Sequence, residues 1–150
     1  MRFANVFITL LFIIVFSYPA FGAWDIEQAW TQNIHDAHIS RLTITWTEDA
    51  SASGNETVNT KSIDGYVYMV VTNPGVPAPD AYDITMKDED DHDIMEGTMT
   101  NRSATETETM IPSIGGSPAM RFVKGNLTIN MINQDTDSAT GKIILYIYRD

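Results

Sequence analysis

The stretch Arg41-Leu42-Thr43-Ile44-Thr45-Trp46-Thr47 alternates strictly between polar and apolar side chains. Side chains of a β-strand point to opposite faces with a period of two, so the three apolar residues share one face and the polar residues share the other. The same alternation recurs over residues 82–87 and 127–131. These segments predict half-buried strands, and Trp46, the largest apolar side chain on its face, is predicted to lie in the core.

Two further runs, residues 66–71 and 143–148, are apolar at consecutive positions. A strand that is apolar on both faces usually lies centrally in a sheet, between the core and a second covering surface. We therefore predict that both runs form central strands. In the second run the aliphatic residues Ile143, Leu145 and Ile147 share one face, which we expect to point inward.

The opposite face of that last strand carries Tyr146 and Tyr148. An outward apolar face must be covered or must be adhesive, and amphipathic tyrosine rings suit an interface. We therefore assign Tyr146 and Tyr148 as a candidate contact patch. The alternative is that loops, or the segment from Trp24 to Trp30, fold over them.

Weaker strand patterns lie at residues 56–60, 94–99, 105–110 and 120–123. Clusters of Gly, Pro and Asn separate the strands at short spacing, which is typical of an antiparallel sandwich or barrel. Only residues 25–37 could form a helix, and at most a short one. The predicted fold is all-β: an antiparallel β-sandwich of jelly-roll or Ig-like type with roughly 7–9 short strands.

Residues 1–22 have the layout of a secretory signal peptide: a positive charge, an apolar run over residues 6–16, and small residues before a cut between Gly22 and Ala23. The apolar run is shorter than the roughly 20 residues that a membrane-spanning helix needs. No later segment approaches that length without charges. We therefore expect cleavage between Gly22 and Ala23, and export to the periplasm, cell surface or extracellular space. Residues 23–150 would form a single β-sandwich domain without a membrane span.

Charge excludes one class of partner. The chain has 9 Lys and Arg against 20 Asp and Glu, with a formal net charge of −11 and no Cys. So acidic a protein cannot neutralise phosphates, which argues against a nucleic-acid partner. Without cysteine, an exported domain must be stabilised by its core alone.

The acidic run Lys87-Asp88-Glu89-Asp90-Asp91-His92-Asp93 is the clearest candidate for a metal site, because calcium takes six to eight oxygen ligands. The weak calcium candidates are the four aspartates of the run, Asp88, Asp90, Asp91 and Asp93. The run does not match an EF-hand loop, which needs an oxygen ligand where His92 stands. The alternative to an irregular calcium site is a solvated turn, because Asp favours turn geometry.

Other chemistry-bearing patterns are sparse. His35 and His38 have a spacing suited to zinc on a helix, but the chain offers no Cys and no evident third ligand. There is no nucleophile elbow, P-loop or dinucleotide fingerprint, so we predict no enzyme, no catalytic residues and no cofactor apart from calcium. A third hypothesis is that the protein is a small secreted hydrolase, although no pair of nucleophile and base can be named in the sequence. Sequons at Asn55, Asn101 and Asn126 are either glycosylation acceptors or chance matches.

Several turns and strand ends of this sequence are similar to those of a known group of proteins. They include Thr45-Trp46-Thr47-Glu48-Asp49-Ala50, Val71-Thr72-Asn73-Pro74-Gly75, Pro79-Asp80-Ala81-Tyr82-Asp83-Ile84-Thr85 and Gly125-Asn126-Leu127-Thr128. From residue 42 onward the chain resembles small, poorly characterised structural proteins of tailed phages and prophages, which are read as virion β-sandwich components. The resemblance implies assembly rather than chemistry. Capsid and tail proteins normally assemble in the cytoplasm, so a signal peptide implies either a virus that assembles at or beyond the membrane or an exported homologue at the cell surface.

These observations predict a non-enzymatic structural or surface-binding β-sandwich that acts by self-association or by attachment to a virion or cell surface. The second hypothesis is a secreted, calcium-dependent carbohydrate-binding module, in which the acidic turn lies next to strand aromatics.

Overall fold

The computed structural model describes residues 24–32, 38–49 and 54–149. This part of the chain is all-β and forms antiparallel sheets in a sandwich-like arrangement, which confirms the predicted fold class. Within it, no helix is long and apolar enough to cross a membrane. The described part contains eleven strands: β1 (Asp25–Gln32), β2 (Ile39–Thr47), β3 (Glu56–Asn59), β4 (Ile63–Pro74), β5 (Asp83–Lys87), β6 (Glu108–Met110), β7 (Ser113–Ile114), β8 (Ser117–Pro118), β9 (Arg121–Gly125), β10 (Thr128–Ile132) and β11 (Thr140–Tyr148). The total exceeds the expected number because a small hairpin adds the two-residue strands β7 and β8.

The large sheet has the strand order β1-β2-β11-β4, and β6 and β9 both pair with the far edge of β4. Strand β11 pairs with β2 along all of its nine residues and with β4 along its other edge. The runs 66–71 and 143–148 lie in β4 and β11, and both strands have neighbours on two sides. The prediction that they are central strands is confirmed.

A β-bulge interrupts the pairing of β4 with β11. Tyr146 lies opposite Met69 and Ile147 lies opposite Val67, which leaves Tyr68 as the extra residue. A bulge bends its strand and increases the local twist. On its other edge, β4 pairs with β9 before this point and with β6 after it. The change of phase at the bulge explains why the sequence of β4 lacks the clean alternation of β2.

The core lies between the large sheet and a small sheet of order β3-β10-β5. Both sheets contribute fully buried side chains at alternate positions: Leu42, Ile44, Trp46, Ile84, Met86, Ile129, Met131, Ile143, Leu145 and Ile147. The inward faces predicted for β2 and β11 are therefore confirmed.

Trp46 is the centre of an aromatic cluster in this core. Its ring lies 5.0 Å from that of Trp24 and 5.7 Å from that of Tyr82, the second pair edge-on. Strand β11 approaches so closely that a Cβ added at Gly141 would lie 2.5 Å from Cζ2 of Trp46. A side chain at Gly141 would therefore displace the indole.

The short helix expected within residues 25–37 is wrong for residues 25–32, because these form strand β1, and residues 33–37 lie outside the described residues. Ile26 and Trp30 are four residues apart, a spacing that places them on one face of a helix and equally on one face of a strand. In β1 they lie opposite Trp46 and Leu42 of β2 and pack against the core. Tertiary pairing decides between two structures that the local pattern fits equally well.

The strand expected at residues 94–99 is also wrong, because this segment forms turns. The Asp93 carboxylate accepts hydrogen bonds from the backbone N–H groups of Met95, at 3.1 Å, and Gly97, at 2.8 Å. Glu96 and Gly97 have φ angles of 47° and 76°, which a strand cannot accommodate.

The three other weak patterns contain strands with different bounds. Residues 56–60 contain β3, residues 120–123 overlap β9, and only the end of 105–110 pairs, as β6. The predicted signal peptide and its cleavage site lie outside the described residues.

We expect Trp46→Ala to lower the free energy of unfolding by about 3 to 5 kcal/mol, because it removes a fully buried indole from the core. Urea unfolding followed by circular dichroism measures the loss. Thr45→Ala, on the outer face of the same strand, serves as the control. A loss below about 1 kcal/mol for Trp46→Ala would contradict the core position.

Candidate functional site

Two of the four aspartates of the acidic run, Asp88 and Asp93, accept hydrogen bonds from nearby backbone N–H groups. Asp88 Oδ1 accepts hydrogen bonds from the N–H groups of Asp90, at 3.1 Å, and His92, at 3.0 Å. Asp91 forms an exposed ion pair of 2.9 Å with Lys87. Asp93 Oδ1 accepts from Met86 and Met95, and its Oδ2 accepts from Gly97. The run forms a turn after β5 that its own carboxylates stabilise.

The candidate metal ligands are not brought together. Across residues 24–32, 38–49 and 54–149, no three or more His, Asp or Glu side chains are placed to hold a metal ion. His35 lies outside these ranges, while His38 contacts the carbonyl oxygen of Arg149 through Nδ1 at 3.0 Å. Within the described residues, the geometry does not assemble the calcium site that Asp88, Asp90, Asp91 and Asp93 suggest.

The sequon asparagines Asn55, Asn101 and Asn126 are all exposed and lie in the connections between strands. Their positions are accessible, and Asn126 follows Gly125, which lies against Glu89 of the acidic run.

The outer face of the large sheet differs in chemistry from strand to strand. On β2 it carries threonines at positions 43, 45 and 47, whereas on β11 it carries Ile144, Tyr146 and Tyr148. Tyr146 lies between Arg41 of β2 and Met69 of β4. The predicted outward position of the two tyrosines is therefore the one observed.

Neighbouring strands extend this surface, which we call the aromatic face. The ring of Tyr66 lies 5.2 Å from that of Phe122, and the ring of Tyr68 lies 6.1 Å from that of Tyr146. The aromatic face consists of the following residues: Ile39, Tyr66, Tyr68, Met69, Met120, Phe122, Tyr146 and Tyr148. Phe122 and Met120 are each 54% exposed and Tyr148 is 37% exposed.

A shallow, open recess of about 310 Å³ lies on the aromatic face. Ile39, Tyr68, Met120 and Tyr148 line it. The segment from Trp24 to Trp30 does not cover these residues, because Trp24 packs on Trp46 in the core and β1 forms the far edge of the sheet. One of the two alternatives for covering the tyrosines is thereby removed.

The outer face of the large sheet carries balanced charges. Six exposed charged residues point outward from its strands, three acidic and three basic: Asp25, Glu27, Arg41, Asp64, Lys124 and Lys142. The face is therefore formally neutral, whereas the whole chain has a net charge of −11. The excess negative charge lies elsewhere on the molecule.

Sequence patterns identified Tyr146 and Tyr148 but missed Met120 and Phe122. Their segment, Met120-Arg121-Phe122-Val123, does not alternate, so no period assigns a face to either residue. Phe122 joins the aromatic face because β9 pairs with β4 and places it opposite Tyr66. That long-range register has no local signal.

No known protein family, curated protein or solved structure matches this chain. The candidate site is therefore assigned from its geometry.

A buried hydrogen-bond network closes the other end of the sandwich. Gln134 is fully buried, and its Nε2 donates to Glu48 Oε2 at 2.5 Å and to the carbonyl of Thr136 at 2.7 Å. Its Oε1 accepts from the N–H of Asp80 at 2.7 Å. Burial raises the pKa of Glu48, and the nearby carboxylate of Asp137 raises it further, against the hydrogen bond from Gln134.

A second carboxylate holds the β7–β8 hairpin. Glu96 accepts hydrogen bonds from the N–H groups of Gly116, at 2.8 Å, and Gly115, at 2.9 Å, and from Ser113 Oγ, at 2.9 Å. These hydrogen bonds lower the pKa of Glu96, and the bond from Gly116 has the largest effect. The role of Glu96 is structural, because its oxygens are engaged by the hairpin.

We expect Glu48→Gln to remove a contribution that stabilises the folded protein at acidic pH. The pKa of Glu48 is raised in the folded protein, so its contribution is most favourable below the unfolded value of 4.5 and is lost as the pH rises through the folded value. The wild-type protein should therefore gain stability from this group on acidification within that window, and Glu48→Gln should not. Urea midpoints at several pH values measure the difference, with the exposed Glu106→Gln as control. An unchanged pH slope in Glu48→Gln would contradict the raised pKa.

We expect calcium titration followed by calorimetry to give no saturable heat, because Asp88 and Asp93 already accept backbone hydrogen bonds and Asp91 pairs with Lys87. A saturable heat that Asp90→Asn or Asp88→Asn removes would contradict this interpretation of the turn.

Proposed function

We propose that this protein is a non-enzymatic structural or surface-binding module, which works by self-association or by attachment to a surface through its aromatic face. The observation that carries the proposal is the outward position of Tyr146 and Tyr148 on a central strand whose alternate residues fill the core. The outer face of β2 in the same sheet carries threonines at three positions, so the apolar outer side chains of β11 are a particular feature of that strand. Tyrosine, phenylalanine, methionine and arginine are the residues enriched where proteins bind one another.

Two sequence features indicate where the protein would carry out this function. The resemblance to virion β-sandwich proteins favours a role in assembly, and the pattern of residues 1–22 favours export. Together they suggest a component of a virion or of the cell surface that assembles outside the cytoplasm.

A carbohydrate-binding module is the second candidate, and one observation favours it. Tyr66, Phe122 and Tyr148 lie on the same face, as rings that stack on sugars must. The calcium dependence first expected of such a module has less support, because Asp88 and Asp93 are hydrogen-bonded to backbone.

The double variant Tyr146→Ser, Tyr148→Ser tests the proposed function. We expect it to weaken self-association, or retention on cells, virions or glycans, at least about tenfold, because truncated tyrosines at an interface commonly cost 1 kcal/mol or more. The melting temperature should stay within a few degrees of the wild type, because neither tyrosine belongs to the buried core.

Ile132→Ser is the matched control, because Ile132 is 41% exposed on the outer face of the small sheet. It should leave binding unchanged. A large drop in melting temperature of the double variant, with binding intact, would instead show that Tyr146 and Tyr148 act as core residues.

A further inference from the structure

We propose that the partner of the aromatic face is a second copy of this chain, in a two-fold dimer that packs the outer faces of two large sheets together. This inference rests on the proposed function, which it narrows from self-association or surface attachment to one specific contact.

Charge is the first argument. Two copies, each with a formal net charge of −11, repel one another over most of their surfaces. The outer faces of both sheets are exceptions, since three acidic and three basic side chains cancel on the large sheet and Asp83 cancels Lys87 on the small one, but only the large sheet carries the aromatic face. A neutral face lacks the positive excess that an anionic membrane or a nucleic acid would require. It is suited to a protein surface, because no excess of like charge on this face opposes the approach of a second copy.

Shape is the second argument. In a two-fold contact the same surface serves both copies, so a projecting group and a matching recess must occur on one face. The aromatic face has both: Phe122, which is 54% exposed, and the recess lined by Ile39, Tyr68, Met120 and Tyr148. We place Phe122 of each copy in the recess of the other. The lining of aliphatic and aromatic side chains suits a phenyl ring better than a sugar, which needs polar partners around its hydroxyl groups.

Area is the third argument. The large sheet is about five strands wide, at about 4.8 Å per strand, and β11 has nine residues, at about 3.3 Å each. The whole outer face of the large sheet therefore has a projected area of roughly 700 Å². This area is of the order of the roughly 800 Å² of accessible surface that each partner buries in a standard stable interface. Packing of two sheets face to face is also a common arrangement in β proteins.

The test is sedimentation of the purified protein over about a hundredfold range of concentration, because dimerisation follows mass action. We expect a wild-type dimer. Phe122→Asp should raise its dissociation constant at least about a hundredfold, since it places a charge in an apolar recess. Ile132→Asp, an equal change on the small sheet, should leave the dimer intact.

Met120→Asp provides a second disruption in case Phe122→Asp fails to fold, which circular dichroism will show. A wild-type protein that is monomeric throughout, or a dimer that persists in both folded variants, would overturn the proposed dimer. If the monomer is nevertheless retained on cells, virions or glycans through Tyr146 and Tyr148, the proposed function survives. If it is retained on none of them, the proposed function fails as well.

Discussion

The structure depends on a single constraint: strand β11 is hydrogen-bonded along both edges and apolar on both faces. Ile143, Leu145 and Ile147 can fill the core only if the intervening residues point away from it, since side chains alternate with a period of two. A slip of one residue would bury the tyrosines and expose the aliphatic side chains. Burial of one face of β11 therefore determines the chemistry of the other, and links the core to the candidate site.

The regions that the sequence predicted correctly are those in which local pattern and tertiary environment agree. Strand β2 alternates and has one face in the core, and the last strand is apolar throughout and central. The errors occur where two structures fit one pattern, as in residues 25–32, or where side-chain hydrogen bonds impose turns, as Asp93 does. In both cases the structure is decided by an interaction that the pattern of polar and apolar residues does not show: the pairing of β1 with β2, and the hydrogen bonds of the Asp93 carboxylate.

Some residues of the candidate site were likewise predictable from the sequence, and others were not. Tyr146 and Tyr148 were predictable because they belong to a strand whose inward face is evident from its aliphatic residues. Phe122 was not predictable, because the register between β9 and β4 places it beside Tyr66. The acidic run was a candidate metal site by composition alone. In the structure, Asp88, Asp91 and Asp93 instead form hydrogen bonds or an ion pair within the turn.

The central claim is that the outer face of β11 is open in the single chain and covered by its partner. Tyrosine modification read by mass spectrometry tests it most directly, with Tyr82 as an internal reference. Tyr82 is fully buried, and burial raises its pKa to about 12. We predict that Tyr148 and Tyr146 react in dilute protein while Tyr82 does not, and that both become protected when the protein is concentrated or bound to its surface. Tyrosines 146 and 148 that are as unreactive as Tyr82 in dilute protein, or that stay reactive under every condition, would contradict the account.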